Sequence, residues 1–203
     1  MSDTHRANAD RVGTERVGTE RARTQAPTHR PSAHRPSTHR GSGDGWAAGP
    51  NGSKLWGRFG AAGLFLLSGD STVLMQLRAP WTSQGGTWGI PGGARDGHES
   101  ASQAAVRETF EECGIEEADV TVLQEIVTAG PLPGDPERPE LAGEWTYTTV
   151  LATTADGSEL QTFPNAESDD LRWVPIDELE QLDLLAPFAE SLPTLRNALA
   201  KLD

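Results

Sequence analysis

The segment 93–115 constrains the fold of this 203-residue chain more than any other stretch. Ser100 and Gln103 have the spacing of a capping box, in which each side chain bonds the backbone of the other residue and starts a helix. Gly114 is the residue type that readily takes a positive φ after the last turn of a helix. The sequence therefore predicts a helix that begins near residue 101 and ends near residue 113.

The two sides of this predicted helix differ in chemistry. With about 100° between successive residues, three glutamates share roughly one third of the circumference, and apolar residues gather opposite to them. The glutamates are Glu108, Glu111 and Glu112, and the apolar residues are Val106, Phe110 and Cys113. Carboxylates at this spacing repel each other by roughly 2 to 3 kcal/mol at an effective dielectric of about 20. Because hard divalent cations prefer oxygen ligands, a Mg²⁺ or Mn²⁺ site would resolve this repulsion, whereas most glutamate clusters taken alone are solvated acidic helix faces.

The same segment has the spacing of the Nudix box, and the chain resembles the Nudix hydrolases over roughly residues 57–200. The box is a glycine, five residues, a glutamate, seven residues, Arg-Glu, an apolar residue, any residue, two glutamates, any residue, a glycine and an apolar residue. Its fixed positions are Gly93, Glu99, Arg107, Glu108, Glu111, Glu112 and Gly114. Thr109 departs from the pattern, which asks for an aliphatic residue there, but the threonine methyl group can pack in its place.

The resemblance implies roles for the residues of the box. A backbone carbonyl of the Gly92-Gly93 pair would be a metal ligand, since both glycines bring bare backbone to the start of the catalytic loop. Glu111 and Glu112 would be direct metal ligands, and Glu108 would be either a ligand or the residue that orients the attacking water.

Two further roles concern residues around the predicted helix. Arg107 and Glu99 resemble the pair that holds the glutamate row of Nudix enzymes in place, whereas the spacing alone allows only a weak surface ion pair between Arg107 and Glu111. Family members often use another carboxylate from a later loop as metal ligand or general base, and Glu167 matches it best. Three other acidic residues are alternatives to it: Asp169, Asp170 and Glu144.

Strand patterns dominate the chain from residue 45 onward. The apolar runs 60–67 and 72–78 flank a Ser-Gly-Asp turn and predict a β-hairpin. A second helix is predicted over about 187–202, and the segment 130–143, rich in Pro, Gly and acidic residues, is predicted to be a surface loop near the site. Further strands are predicted at 88–91, 120–128, 145–154 and 171–174. Mixed strands with a helix on each side predict an α/β fold, and the resemblance implies the Nudix-type α/β/α sandwich with a mixed central sheet.

The amino-terminal residues differ in composition from the rest of the chain. The sequence RVGTE stands at 11–15 and again at 16–20, and variants of T-H-R-P-S follow it. Because such a segment holds almost no large apolar side chain, it buries too little surface to offset its chain entropy. We predict a disordered His/Arg/Pro-rich tail over 1–44 and a Nudix hydrolase domain over 45–203.

Charge and hydropathy limit the partners of this chain. Residues 1–43 have a formal charge of +4 and the remaining residues −17, which gives the whole chain −13. An acidic domain is not expected to bind nucleic acid polymers through a basic surface. No apolar run approaches the roughly 20 residues of a membrane span, and the single cysteine, Cys113, fits a reducing compartment. We therefore expect a cytoplasmic protein without a membrane partner.

The resemblance implies Mg²⁺-dependent hydrolysis of a diphosphate linkage in a nucleotide substrate. The runs W-G-R-F-G-A-A-G-L-F-L-L, Q-G-G-T-W-G-I-P-G-G-A-R-D and W-T-Y-T-T-V resemble an actinobacterial MutT-type branch, which favours an 8-oxo-dGTP or (d)NTP diphosphatase. The asparagine that reads 8-oxoguanine in MutT would fall near 187–188, where this chain has none. Pro131, 16 residues after the box, matches a marker of the ADP-ribose-cleaving branch and gives the alternative of an ADP-ribose or related pyrophosphatase.

Two further predictions concern nucleotide binding. A non-catalytic nucleotide-binding Nudix sensor is a further alternative, although a binding module has no need of the complete glutamate row. Large aromatic residues are candidates for stacking on a nucleobase. The three candidates are Trp88, Trp145 and Phe188.

Overall fold

The computed structural model describes residues 41–202, so that most of the predicted tail lies outside the described residues. Nine strands and two α-helices follow one another in these residues. The strands are β1 (Trp46–Ala48), β2 (Lys54–Trp56), β3 (Ala61–Leu67), β4 (Thr72–Arg78), β5 (Trp88–Gly89), β6 (Gly92–Ala94), β7 (Val120–Leu132), β8 (Trp145–Thr154) and β9 (Ser168–Pro175). The helices are α1 (Ala101–Cys113) and α2 (Ala186–Leu199), and short 3₁₀ turns lie at 50–52, 117–119 and 179–181.

The main sheet is mixed. Its strand order is β5-β4-β3-β8-β7, with β6 paired to β3 and β9 paired to β4. The pairing of β3 with β8 is parallel, whereas β4 and β7 pair antiparallel with their neighbours. β1 and β2 form a separate two-stranded sheet.

Alternate residues of β3 belong to two different hydrophobic clusters. Leu64 and Leu66 pack in a cluster with Ala104, Ala105 and other residues of α1. Phe65, between them in sequence, packs in a second cluster with Phe188 and further residues of α2. Successive side chains of a strand point to opposite faces of a sheet, so α1 covers one face and α2 covers the other. The predicted α/β/α sandwich with a mixed sheet is confirmed.

Several element boundaries differ from the prediction. The β3-β4 hairpin and the helix over 101–113 are confirmed. β7 continues to Leu132 through three irregularities in its pairing with β8, so the predicted loop over 130–143 begins inside a strand. β9 is longer than predicted at both ends, and the β1-β2 hairpin was not predicted because each of its strands has three residues. Within residues 41–202, neither helix is long and apolar enough to cross a membrane.

Candidate active site

Helix α1 begins and ends where the sequence predicts. The Ser100 hydroxyl accepts a hydrogen bond from the Gln103 amide at 3.1 Å, and the Gln103 side chain accepts one from the Ser100 amide at 2.9 Å. Gly114 ends the helix at φ 73° in the left-handed conformation, and its amide donates to the Phe110 carbonyl. These local contacts set where the helix begins and ends, and its packing against β3 and β6 sets the direction of its glutamates.

Glu108 is buried against the glycine pair that precedes α1. Its side chain is 8% exposed, and an Arg107 guanidinium nitrogen donates to its Oε1 at 2.7 Å. A Cβ atom at Gly93 would lie 2.5 Å from the Glu108 Cδ and 2.6 Å from its Oε2. Real Cβ atoms do not approach other heavy atoms so closely, so the carboxylate occupies the space that a side chain at position 93 would fill.

Glu112 is buried one helical turn further on. It is 4% exposed, and the Gly92 amide donates to its Oε2 at 2.9 Å. Burial, together with the nearby charges of Glu108 and Glu167, raises the pKa of Glu112 to about 8, although the Gly92 amide and the Gln76 side chain oppose this rise. A like charge and burial both disfavour the ionised form of a carboxylate. When its carboxylates are ionised, the site therefore carries more negative charge than its own residues neutralise.

Glu111 lies in a different environment from its two neighbours on α1. Its side chain is 40% exposed, and its Oε1 is 3.6 Å from Arg107 Nη1. The resemblance groups Glu111 with Glu112 as direct metal ligands, but the structure buries Glu112 with Glu108 and places Glu111 at the edge.

Arg107 connects α1 to the loop that precedes it. Its Nε and Nη2 donate to the two carboxylate oxygens of Glu99 at 2.7 and 2.9 Å, and Nη2 also donates to the Ala94 carbonyl at 2.9 Å. The Asp96 amide donates to Glu99 as well, at 3.0 Å. The hydrogen bonds from Arg107 are the main reason why the pKa of Glu99 lies below its usual range. Arg107 thus joins Glu99 to Glu108, and the positioning role of Arg107 and Glu99 stays a prediction.

Glu167 is carried by a loop that is attached to the end of α1. The Asn165 amide donates to the Glu112 carbonyl at 3.2 Å, and the Asn165 side-chain oxygen accepts from the Glu167 amide at 2.8 Å. The charge of Glu167 contributes to the raised pKa of Glu112. Of the alternatives, Asp170 pairs with Arg172 at 2.6 Å, and both Asp169 and Glu144 are exposed. The role of Glu167 stays a prediction.

The three aromatic residues predicted to stack on a base lie in the hydrophobic core. Their exposed fractions are only 7%, 8% and 6% for Trp88, Trp145 and Phe188. Phe188 packs against Phe65, and the Trp145 indole donates to the Trp56 carbonyl at 3.0 Å. Rings buried to this extent offer little surface to a nucleobase, so the structure corrects this interpretation and gives them a packing role.

Two residues that the sequence analysis did not single out lie beside the acidic centre. Gln76, on β4, is 1% exposed, and its Nε2 donates to the Ser168 hydroxyl at 2.7 Å. Tyr147, on β8, is half-buried, and burial followed by the charge of Glu112 raises the pKa of its phenol. The sequence signal for Gln76 is an uncharged polar residue inside the apolar strand T-V-L-M-Q-L-R.

The donor set of this centre fits a hard divalent cation. Two buried carboxylates lie close together, and Gln76 Oε1 is a buried oxygen without a hydrogen-bond partner in residues 41–202. Oxygen ligands of this kind suit Mg²⁺ and Mn²⁺. Asp96, His98 and Glu99 form another acidic group whose ligand atoms lie within 4.8 Å of one another. Arg107 engages both oxygens of Glu99, so this second group is less suited to a cation.

A groove of about 510 Å³ lies along the other side of α1. Arg107, Phe110 and Val122 are among its lining residues, but Glu108 and Glu112 are not. The groove is therefore separate from the buried carboxylates, and we do not assign the chemistry to it.

Known proteins are similar to this chain over much of its length. A model of the NUDIX domain matches residues 57–195. A Mycobacterium tuberculosis protein provisionally named 8-oxo-dGTP diphosphatase 3 is 47% identical over 166 residues, which cover 78% of this chain and 71% of that protein. A Bifidobacterium longum nucleoside triphosphate pyrophosphatase/Nudix hydrolase fusion protein is 39% identical over 158 residues, which cover 74% of this chain and 30% of the fusion protein.

The crystal structure of RenU, a Nudix hydrolase from M. smegmatis, is similar to most of this chain. It superposes with a TM-score of 0.69 at 45% sequence identity, and the match covers 79% of this chain and 98% of that chain.

Proposed function

This chain belongs to the Nudix family and is a hydrolase, and from this premise we propose that it is a Mg²⁺-dependent pyrophosphohydrolase of nucleoside triphosphates, with 8-oxo-dGTP as its substrate. The observation that supports the proposal most is the burial of Glu108 and Glu112 together against the backbone of Gly92 and Gly93. The name of the M. tuberculosis relative supports the choice of substrate. The products would be a nucleoside monophosphate and pyrophosphate.

We expect Glu108, Glu112 and a carbonyl of the Gly92-Gly93 pair to hold the divalent cation. Glu111 and Glu167 are further candidate ligands at the edge of the site. When bound, Mg²⁺ or Mn²⁺ would neutralise charge on the phosphate oxygens and make a bound water more acidic.

The protein's own residues prepare the site for an in-line attack. Arg107 holds the Glu108 carboxylate at 2.7 Å, and the Gly92 amide holds Glu112 at 2.9 Å. Glu167 is the residue that we propose to accept the proton of the attacking water. The water oxygen forms a bond to phosphorus while the bond from that phosphorus to the bridging oxygen breaks. The electron pair leaves on the bridging oxygen, which belongs to pyrophosphate if the α-phosphorus is attacked and to the nucleoside monophosphate if the β-phosphorus is attacked.

The test is a product analysis with the purified full-length chain and Mg²⁺. We would incubate it with 8-oxo-dGTP, dGTP, ADP-ribose and diadenosine polyphosphates and separate the products by ion-exchange chromatography. The expected result is 8-oxo-dGMP and pyrophosphate, with little turnover of ADP-ribose. AMP and ribose phosphate from ADP-ribose would replace the proposal by the second Nudix activity, and binding without turnover of any compound would indicate a nucleotide sensor.

Variants and isotope labelling sharpen this test. Glu108→Gln should lose most of its turnover while unfolding at the same urea concentration as the wild type, and Asp169→Asn serves as a matched control on an exposed acid. Hydrolysis in ¹⁸O-labelled water shows which phosphorus is attacked, because the label enters the monophosphate or the pyrophosphate.

The binding partner and the cellular location are also proposals. The acidic domain favours a small nucleotide as its partner over a nucleic acid polymer. A cytoplasmic location stays a prediction that depends on the single buried cysteine, Cys113.

A further inference from the structure

Gln76 is a buried polar side chain in the middle of an otherwise apolar strand. It is 1% exposed, between Met75, which is fully buried, and Leu77, which is partly buried. A buried amide lowers stability unless its donors and acceptors are paired, so an apolar residue would serve packing better at this position. The amide therefore calls for a reason beyond the hydrophobic core.

Glu112 is held at its side chain and at its backbone. The Gly92 amide donates to Glu112 Oε2 at 2.9 Å, and the Asn165 amide donates to the Glu112 carbonyl at 3.2 Å. β6 and the Glu167 loop therefore each contact the residue that α1 supplies to the site.

Gln76 connects this loop to β4. Gln76 Nε2 donates to the Ser168 hydroxyl at 2.7 Å, across a sequence separation of 92 residues. The Ser168 hydroxyl and the Glu167 amide both donate to the Asn165 side-chain oxygen, at 3.4 and 2.8 Å. Through Ser168 and Asn165, one buried amide is therefore connected to the loop acid and to the backbone of the helix acid.

We propose that Gln76 is a positioning residue that fixes Glu112 and the Glu167 loop relative to each other, so that their carboxylates can share a divalent cation. Gln76 Oε1, on the same side chain, is buried and has no hydrogen-bond partner among residues 41–202. This inference rests on the proposed function and concerns the cation that the hydrolase would use.

The experiment compares Gln76→Leu with wild type and with Met75→Leu, a volume-conserving change at the neighbouring buried position of β4. Mn²⁺ binding is measured without substrate, from the electron paramagnetic resonance signal of free Mn²⁺. Residues that orient metal ligands typically change metal affinity by about 10- to 100-fold, and we expect Gln76→Leu to weaken Mn²⁺ binding by this factor while Met75→Leu does not.

Steady-state kinetics with 8-oxo-dGTP provide a second readout. The Mn²⁺ concentration for half-maximal rate should rise by the same factor in Gln76→Leu, while kcat at saturating Mn²⁺ changes much less. A folded Gln76→Leu protein that binds Mn²⁺ as tightly as the wild type would overturn the inference. If this variant does not fold, Gln76→Asn is used instead, because asparagine keeps a buried amide on a side chain that is one methylene group shorter. The same Mn²⁺ affinity as the wild type in Gln76→Asn would also overturn the inference.

The design separates this inference from the proposed function. A wild-type protein that binds Mn²⁺ but hydrolyses no nucleotide would refute the activity, and the effect of Gln76 on Mn²⁺ affinity could still be measured. A wild-type protein that turns over nucleotide while Gln76→Leu keeps full Mn²⁺ affinity refutes the inference alone. A wild-type protein that binds no Mn²⁺ refutes both.

Discussion

Glu112→Gln should make the cation-free protein more stable at alkaline pH. Burial and the charges of Glu108 and Glu167 raise the pKa of Glu112 from 4.5 to about 8. Because one pH unit corresponds to about 1.4 kcal/mol, ionising this carboxylate lowers the free energy of unfolding by at most about 5 kcal/mol. Glutamine has a similar shape and no proton to lose, so the variant avoids this loss.

The direction of the pH dependence follows from proton binding. Between pH 4.5 and about 8 the folded protein keeps the proton on Glu112, whereas the unfolded chain releases it. The contribution of this group to stability is therefore complete below pH 4.5 and is lost as the pH rises through about 8. We expect wild type and variant to diverge steadily over this range.

The assay is urea unfolding followed by tryptophan fluorescence, in the presence of a chelator, from pH 5.5 to pH 8.5. Glu111→Gln is the matched control, because it is the same chemical change at the adjacent helix position with a side chain that is 40% exposed. The control should show the pH dependence of the wild type. Added Mn²⁺ should stabilise the wild type at pH 8.5 more than it stabilises Glu112→Gln. Parallel stability curves for wild type and Glu112→Gln would refute the reasoning.

Three further substitutions test other contacts of the site. Gly93→Ala places a Cβ 2.5 Å from the Glu108 Cδ and so displaces the carboxylate. We expect roughly a hundredfold loss of kcat with little change in the thermal unfolding temperature. A variant with the kcat of the wild type would contradict the assigned contact. Arg107→Lys replaces a guanidinium that donates twice to Glu99 with a single ammonium group. Urea unfolding should show that the free energy of unfolding falls by about 1.5 to 3 kcal/mol. An unchanged unfolding midpoint would argue against a stabilising ion pair. Thr109→Val removes a hydroxyl that donates only within its own helix, and its stability should stay within about 1 kcal/mol of the wild type; a larger loss would show that the hydroxyl is needed.

The sequence predicted α1 and its acidic side well because the relevant signals are local. Ser100, Gln103 and Gly114 act on residues within one helical turn, and three glutamates at helical spacing share one side by geometry alone. The sandwich could also be predicted, since strand alternation and the box resemblance both specify it.

What the sequence could not predict depends on contacts between distant residues. The packing of α1 on the β3-β6 pair buries Glu108 and leaves Glu111 partly exposed. The helical spacing puts both glutamates on one side of α1 and does not distinguish which of them is buried. Trp88 and Phe188 were placed at the substrate because aromatic residues suit both a core and a stacking site, and only the packing of α2 decides between the two. Gln76 was missed because its partner Ser168 lies 92 residues away.

The parallel pairing of β3 with β8 has a consequence for the folding kinetics. It joins residues such as Gly63 and Thr149, which are far apart in the chain, and parallel partners need a long crossover before they meet. Glu112 lies within this crossover and Glu167 follows β8, so we expect the complete acidic centre to form late in folding. A cation bound there would then slow unfolding much more than it accelerates folding, and it would act on the lifetime of the native state.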